Sequence, residues 1–429
     1  MAKRESPLSI PAYRRYWLAR FCSTIALNGM IVVIGWQVYD VARRTMEPRE
    51  AAIQLGLIGV AQFLPLMVLT LVTGLTADRI DRRWIARTTT ALEMLCAAAL
   101  GLITWYDVAS LPALFTVAAL LGVARAFAGP ALQALAPNLV PKALLPAAIA
   151  TSSIAWQVGA IGGPPFGGYL YAIHPPLAYT ASAALLAFSL LMLMLIPPVP
   201  RTSLDRRGNP WAQMIEGFSY IRRNRLVLGA ISLDLFAVLL GGATAMLPIY
   251  ARDILHVGSS GLGHLRAAPA IGAAAVAIWL SRWPLHRNVG IKLLVAVGVF
   301  GLGTIAFGLS HRTSAPLAIA LGSLGLLGAA DMVSVYVRQS LIQLYTPDEM
   351  RGRVGAASTL FVSGSNELGE AESGFLAALI GPVAAVVAGG VGTLIVAVLW
   401  ARLFPEILRA RTFDPPASFE DVPGQEKAA

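Results

Sequence analysis

Apolar runs of roughly 18 to 27 residues recur from Tyr16 to Phe404, each long enough to cross a hydrocarbon core about 30 Å thick at 1.5 Å per residue. A backbone in that medium must satisfy its own polar groups, so runs of this length are expected to be helices. About twelve can be counted, at approximately 16–42, 54–77, 84–106, 110–133, 143–171, 177–196, 226–250, 261–283, 290–310, 316–343, 354–380 and 382–404. Composition agrees: 56% hydrophobic and 13% charged residues, with mean hydropathy +0.67, do not belong to a soluble domain of 429 residues. The expected class is an all-α membrane protein with 12 transmembrane helices.

The segment from Met1 to Pro11 is short, polar and basic and runs into a full-length apolar stretch, so no cleaved leader is expected and the first helix is a retained anchor. The formal net charge of +10 is a matter of topology. With loops assigned alternately, about 24 of the 33 Lys and Arg fall on the side of both termini, and about five, including Arg43, Arg44 and Arg49, on the other. That asymmetry predicts cytoplasmic termini in a bacterial-type inner membrane and argues against nucleic-acid binding. Cys22 and Cys96 lie in different spans without ligand-like spacing, and read as small apolar residues.

One long break, IPPVPRTSLDRRGNP, separates two blocks of six spans. The expected organisation is a cytoplasmic segment 1–15, a six-helix bundle 16–196, a linker 197–225, a second bundle 226–404, and a disordered tail 405–429 rich in Pro and charge. Within the linker, Asn209-Pro210 forms a helix start. Trp211, Met214, Ile215, Phe218 and Ile221 then follow at helical spacing, the pattern of an amphipathic helix lying along the membrane surface. The blocks superpose without gaps at an offset of 206 residues, with Pro141 on Pro347, Gly163 on Gly369, Gly168 on Gly374 and Leu170 on Leu376. Such a repeat places a cavity between the two pseudo-symmetric halves. It fails where charge appears, with Arg125 on Asp331 and Pro164 on Glu370.

Between the second and third spans stands GLTADRIDRR, Gly74 to Arg83. It resembles the signature loop of the major facilitator superfamily, Gly-x-x-x-Asp-Arg-x-Gly-Arg-Arg/Lys, with Asp81 in place of the second glycine. The resemblance implies that Gly74 permits close helix approach, that Asp78 faces a helix N-terminus, and that Arg79, Arg82 and Arg83 hold a cytoplasmic gate. The plain alternative is a basic positive-inside turn. In the fifth span, Gly159-x3-Gly163-Pro164-x2-Gly167-Gly168 resembles the superfamily's antiporter signature, with Ala150 replacing its first glycine. That implies a sealed hinge and export by exchange; helix packing without directional meaning is the alternative. LDLFAVLLGGATAMLPIYARDIL, LGHLRAAPAIGA and SNELGEAESG in the second half resemble the branch that contains enterobactin-type siderophore exporters and macrolide effluxers.

Arg125, Asp331 and Glu367 fall near mid-bilayer, Asp234 somewhat toward the cytoplasm and Arg266 toward the periplasm. Ionised groups at lipid depth are costly, so these are expected to face a central cavity or each other. Glu367 and Glu370, three apart, share a helix face that excludes Glu372. Two carboxylates so close in a low-dielectric cavity repel, and at least one is expected to hold a proton near neutral pH, as proton coupling requires. Permanent pairing with Arg125, Arg266 or Arg338 is the competing reading. Asp331 and Arg338, seven apart, are expected to line one surface, and Asn28 and Gln62 to line the cavity; Glu93 has no evident partner.

The five histidines lack ligand spacing, so no metal site is expected, and no Gly-x-x-x-x-Gly-Lys loop is present for an ATPase, so no cofactor is expected. The family implies a monomer that handles protons and a siderophore-like or drug-like molecule within the bilayer. A broad multidrug effluxer is the nearer alternative. A membrane-embedded enzyme or a non-transporting sensor is the more distant one.

Overall fold

Proline opens helix after helix in this chain, where its missing N–H costs nothing and its fixed φ suits the first turn. The computed structural model describes residues 6–79, 81–141, 144–198 and 210–413. The first half comprises α1 (Pro11–Ala42), α2 (Pro48–Arg79), α3 (Arg82–Trp105), α4 (Leu111–Leu135), α5 (Leu145–Ile173) and α6 (Pro175–Met194). A short α7 (Pro210–Arg223) leads to the second half, which begins with α8 (Arg225–Leu240) and α9 (Leu247–Ile249). It continues through α10 (Gly258–Arg282), α11 (Val289–Gly308), α12 (Pro316–Leu344), α13 (Asp348–Ile380) and α14 (Pro382–Leu403), and ends in α15 (Pro405–Arg409). Ten described segments, with α8 and α9 counted as one from Arg225 to Ile254, are long and apolar enough to cross a membrane. The 29-residue α5 and the 33-residue α13 complete the twelve spans.

The seventh span is discontinuous. α8 ends before Gly241-Gly242, and a 3-10 turn (Ala243–Met246), α9 and a π-helical turn (Tyr250–Ile254) carry the chain onward. Gly242 packs tightly on α13, where a β-carbon would lie against Ser373 Oγ and 2.5 Å from the Gly369 carbonyl. Irregular backbone at this depth is tolerated because it lines a cavity and packs on protein.

The expected repeat is present as structure. Shifted by 206 residues, α4 and α5 become 317–341 and 351–379, which overlie α12 and α13. The halves meet along two seams, α5 with α10 and α2 with α13, which exchange places when the halves are swapped. Call the near side the one where α1 begins and α14 ends. Toward the far side, Gly168 of α5 packs on Ser259 and Gly263 of α10, while its repeat mate Gly374 of α13 packs on Ala52 and Gly56 of α2, with 2.9 Å from its would-be β-carbon to Gly56 Cα. Ser259 and Gly263 are themselves 207 residues beyond Ala52 and Gly56. The two seams are one backbone contact used twice.

Burial follows the same asymmetry between sides. Among the described residues one buried apolar cluster draws on the far-side ends of both halves, including Tyr39, Leu55, Met246 and Leu262. Two separate clusters serve the near side, one per half, around Tyr13, Tyr16 and Leu193 and around Val227, Leu341 and Trp400. Among the described residues the halves share one core at the far side and keep separate cores at the near side.

The amphipathic α7 spends part of its apolar face on protein. Phe218 meets Phe361 of α13 edge-on at 5.3 Å, Tyr220 donates to the Tyr345 carbonyl at 2.7 Å, and Glu216 pairs with Arg353 at 2.5 Å. Ile215 stays exposed, and the side chains of Trp211 and Met214 lie outside the described residues, as do 414–429 of the expected tail.

Bulk at the far-side seam is therefore expected to part the halves there. In a variant with Cys22 and Cys96 replaced by serine, a cysteine at the buried Leu55 should react faster with a membrane-impermeant maleimide once Gly168→Val is added. Unchanged reactivity would contradict the seam.

Candidate functional site

Two cavities meet at Gln62 and Arg125. The smaller, about 130 Å³, lies between the halves and takes Gln62 and Arg125 from the first half, and Thr244, Arg266 and Glu370 from the second. Arg266 Nη2 stands 3.7 Å from Glu370 Oε1, and its Nη1 donates to the Thr244 carbonyl at 3.2 Å. The same carbonyl accepts from Leu247 N–H in the 3-10 turn that follows the break after α8. Glu367 lies on the described backbone of α13, but its side chain is outside the described residues.

The larger cavity, about 360 Å³, is within the size range of small-molecule sites and lies wholly in the first half. Its lining includes Arg20, Thr24, Asn28, Gln62, Glu93 and Arg125, with the half-exposed Trp156. Arg125 Nη1 donates to Gln62 Oε1 at 3.5 Å, a long contact, and Asn28 Nδ2 donates to the Thr24 carbonyl at 2.9 Å. Arg20 reaches the Tyr16 hydroxyl at 3.2 Å. Glu93 is 2% exposed. Sequence reasoning left it without a place because Arg125, the cation that acts on it, is on the next helix and 32 positions away.

Other candidates are placed elsewhere. Asp234 and Arg338 pair with each other, at 5% and 2% exposure, and line neither of these cavities. Asp331 is partly buried on α12, two turns from Arg338, whose charge is turned to α8. The helix-five glycines divide their work: Gly159, Gly163 and Gly167 pack on Thr24, Asn28 and Gly29 of α1, whereas Pro164 and Gly168 face α10. Gly163 thus fixes how far Asn28 stands from α5, its would-be β-carbon being 2.8 Å from Asn28 Cβ.

In the loop after α2, Asp81 caps α3 by accepting from Arg83 N at 2.9 Å, and it pairs with Arg83 Nη2 at 2.6 Å. An acid at this point adds a side-chain hydrogen bond to the helix start that a glycine lacks. Arg83 also approaches the Ile196 carbonyl beyond α6, and Arg82 begins α3. Gly74, Asp78 and Arg79 belong to the last turns of α2, with side chains outside the described residues.

A second charged cluster went unforeseen. At the far side Asp40 of α1 pairs with Arg252 at 2.5 Å, Tyr39 donates to Asp253 at 2.5 Å, and Arg43 lies 3.8 Å from Asp253. Arg44 adds contacts to Asp40 and Asp107. Arg252 and Asp253 belong to the π-helical turn of the other half, so these bonds latch the halves together. The bonds that cross between the halves join residues more than two hundred positions apart, 212 for Asp40 and Arg252 and 214 for Tyr39 and Asp253.

The buried Asp234–Arg338 pair sets a stability expectation. Removing one partner leaves an uncompensated charge, at a cost of about 3–5 kcal/mol, whereas removing both is far cheaper. Thermal unfolding in detergent should show large losses for Asp234→Leu and Arg338→Met singly and a smaller loss for the double variant. Additive losses would contradict the pairing.

The chain resembles proteins whose activity is known. It is 28% identical over 424 residues to the Enterobactin exporter EntS of Shigella dysenteriae serotype 1 (strain Sd197), with 96% of each chain covered. The fold is shared with the nucleoside transporter NupG (TM-score 0.71, 13% identity, 92% of this chain and 99% of that one). It is shared equally with a D-xylose-proton symporter (TM-score 0.70, 13% identity, 94% and 98%). Residues 16–370 match the sequence model of the Major Facilitator Superfamily, and the chain is a member of that family of multi-pass membrane transporters.

Proposed function

We propose that the protein is a proton-coupled exporter of a small amphipathic molecule of the siderophore class, working by alternating access in a bacterial inner membrane with both termini in the cytoplasm. The observation that carries the reading is the resemblance to an enterobactin exporter across 96% of both chains. The basic asymmetry of the loops supports the orientation, with the near side cytoplasmic. In that orientation the parted near side is the cytoplasmic entrance, and the latch and glycine seams close the periplasmic exit.

The halves 16–196 and 226–404 rock as bodies about the α5–α10 and α2–α13 seams, and one chain suffices because each chain carries its own cavities. Substrate enters from the cytoplasm and meets the mixed polar and apolar wall formed by Asn28, Gln62, Arg125 and Trp156. Export requires the Asp40–Arg252 and Tyr39–Asp253 bonds to break while the near-side ends close. Arg266 and Glu370 stand where the halves separate, so their pair is strained or released in the same motion. A broad multidrug effluxer would use the same walls with looser selectivity. The transporter family and the absence of any recognised nucleophile or cofactor motif in the sequence weigh against an enzyme.

Two outcomes test this reading. Proteoliposomes containing the protein should move enterobactin toward the acidic compartment when a pH gradient is imposed, and lose that bias when the gradient is collapsed. Gradient-driven movement of macrolides with none of enterobactin would favour the multidrug alternative. Arg252→Ala, by opening the latch, should increase labelling of a far-side cysteine in intact cells and lower gradient-driven export severalfold. Wild-type labelling and transport would remove the latch from the cycle.

A further inference from the structure

Most acids described so far within or between the spans have a cation beside them; Asp331 and Glu93 do not, and Asp331 lines neither of the two cavities. Asp234 is held by Arg338, Glu370 by Arg266, and Asp40 and Asp253 by the far-side arginines. Glu93 is different. It lies about 17 Å along α3 from Arg82, near the middle of the span, and is all but inaccessible, yet its Oε1 accepts no hydrogen bond. It also lines the larger cavity. An ionised carboxylate at that depth with an unmet oxygen is the costliest arrangement available to it.

The groups around it are few. From α4 comes Arg125, whose charge acts on Glu93 from a distance, and from α1 comes Arg20 at the same cavity wall. α2 offers the neutral Gln62, and α6 carries no Asp, Glu, Lys, Arg or His, its Tyr179 hydroxyl being committed to Gln37. On its own helix Cys96 stands within electrostatic reach. Among the described residues none forms an ion pair with Glu93, and Arg125 also borders the cavity that holds Arg266 and Glu370. A change of charge on Glu93 is therefore felt, through Arg125, where the two halves meet.

We propose that Glu93 carries the coupled proton, and that hydroxyl donors of the substrate compete with that proton for its carboxylate oxygens. The inference rests on the reading of the protein as a proton-coupled exporter. In the near-side-open state, substrate hydroxyls donate to both oxygens and satisfy the ionised form, and the proton leaves to cytoplasmic water. After the halves rock, the substrate departs to the far side and the bared carboxylate takes a proton from there. Protons thus move inward as substrate moves outward, with no bond made or broken other than O–H. The Arg266–Glu370 pair then serves the motion of the halves and does not hold the proton.

The test uses the full-length wild type and the variants Glu93→Gln, Glu93→Asp and Glu370→Gln. Infrared difference spectra of the substrate-free protein across a pH titration should contain a protonated-carboxyl C=O band that is lost in Glu93→Gln, displaced in Glu93→Asp and retained in Glu370→Gln. In proteoliposomes the acceleration of enterobactin export by a pH gradient, taken relative to downhill export by the same variant, should vanish in Glu93→Gln and persist in Glu93→Asp. A band that survives Glu93→Gln overturns the proposal, as does a band lost while the gradient still accelerates export. A wild type that moves no enterobactin in either assay sinks the export reading by itself, while a titrating band confined to Glu93 still supports the proton site.

Discussion

Two helix seams, each closed by glycine against backbone, hold the far side of this protein shut. At Gly168 and Gly374 the neighbouring helix comes so near that no larger residue could be accommodated without displacement. Close backbone approach of this kind matters in a membrane, where apolar side chains gain little by leaving lipid for one another and packing must supply the attraction. Because the two glycines are repeat mates, the halves can pivot about the pair symmetrically, and the cavities open or close with them. The polar groups then fall where this geometry leaves room: Arg125 and Gln62 where two cavities join, Arg266 and Glu370 at the parting plane.

Three sets of charges differ by what surrounds them. Asp234 and Arg338 are sealed together inside the second half and act as structure, since a buried pair with no access to a cavity has nothing to exchange. The far-side cluster about Asp40 and Arg252 is partly exposed and joins the halves, so its strength is modest and its breaking is affordable in a working cycle. Glu93 is buried, faces a cavity and lacks a partner for one oxygen. Position in the cycle follows from surroundings more than from residue type.

Much of the architecture was legible in the sequence because lipid imposes length and hydropathy on each span and because the repeat preserves glycines. The offset that aligned Gly168 with Gly374 recovered a real contact made twice. Asn28, Gln62 and Arg125 stood out by their polarity at depth, and the three line the larger cavity inside the first half. The latch was not legible, since Asp40, near the end of α1, and Arg252 are joined only by folding across 212 positions. Glu93 was visible as an anomaly and nothing more, because its significance depends on what is missing around it. Asp81 stands where the signature loop has a glycine, and in the structure it is the cap of α3.

The central claim is that closure at one side and opening at the other are a single motion about the two glycine seams. Double electron–electron resonance reads it directly, with one pair of spin labels at Ile149 and Ile278 on the near-side ends of α5 and α10, and another at Ile173 and His256 at the far side. Across substrate-free and enterobactin-bound samples at several pH values, the account predicts that populations with a long near-side distance match those with a short far-side distance, and the reverse. Near-side and far-side distances that vary independently would contradict it.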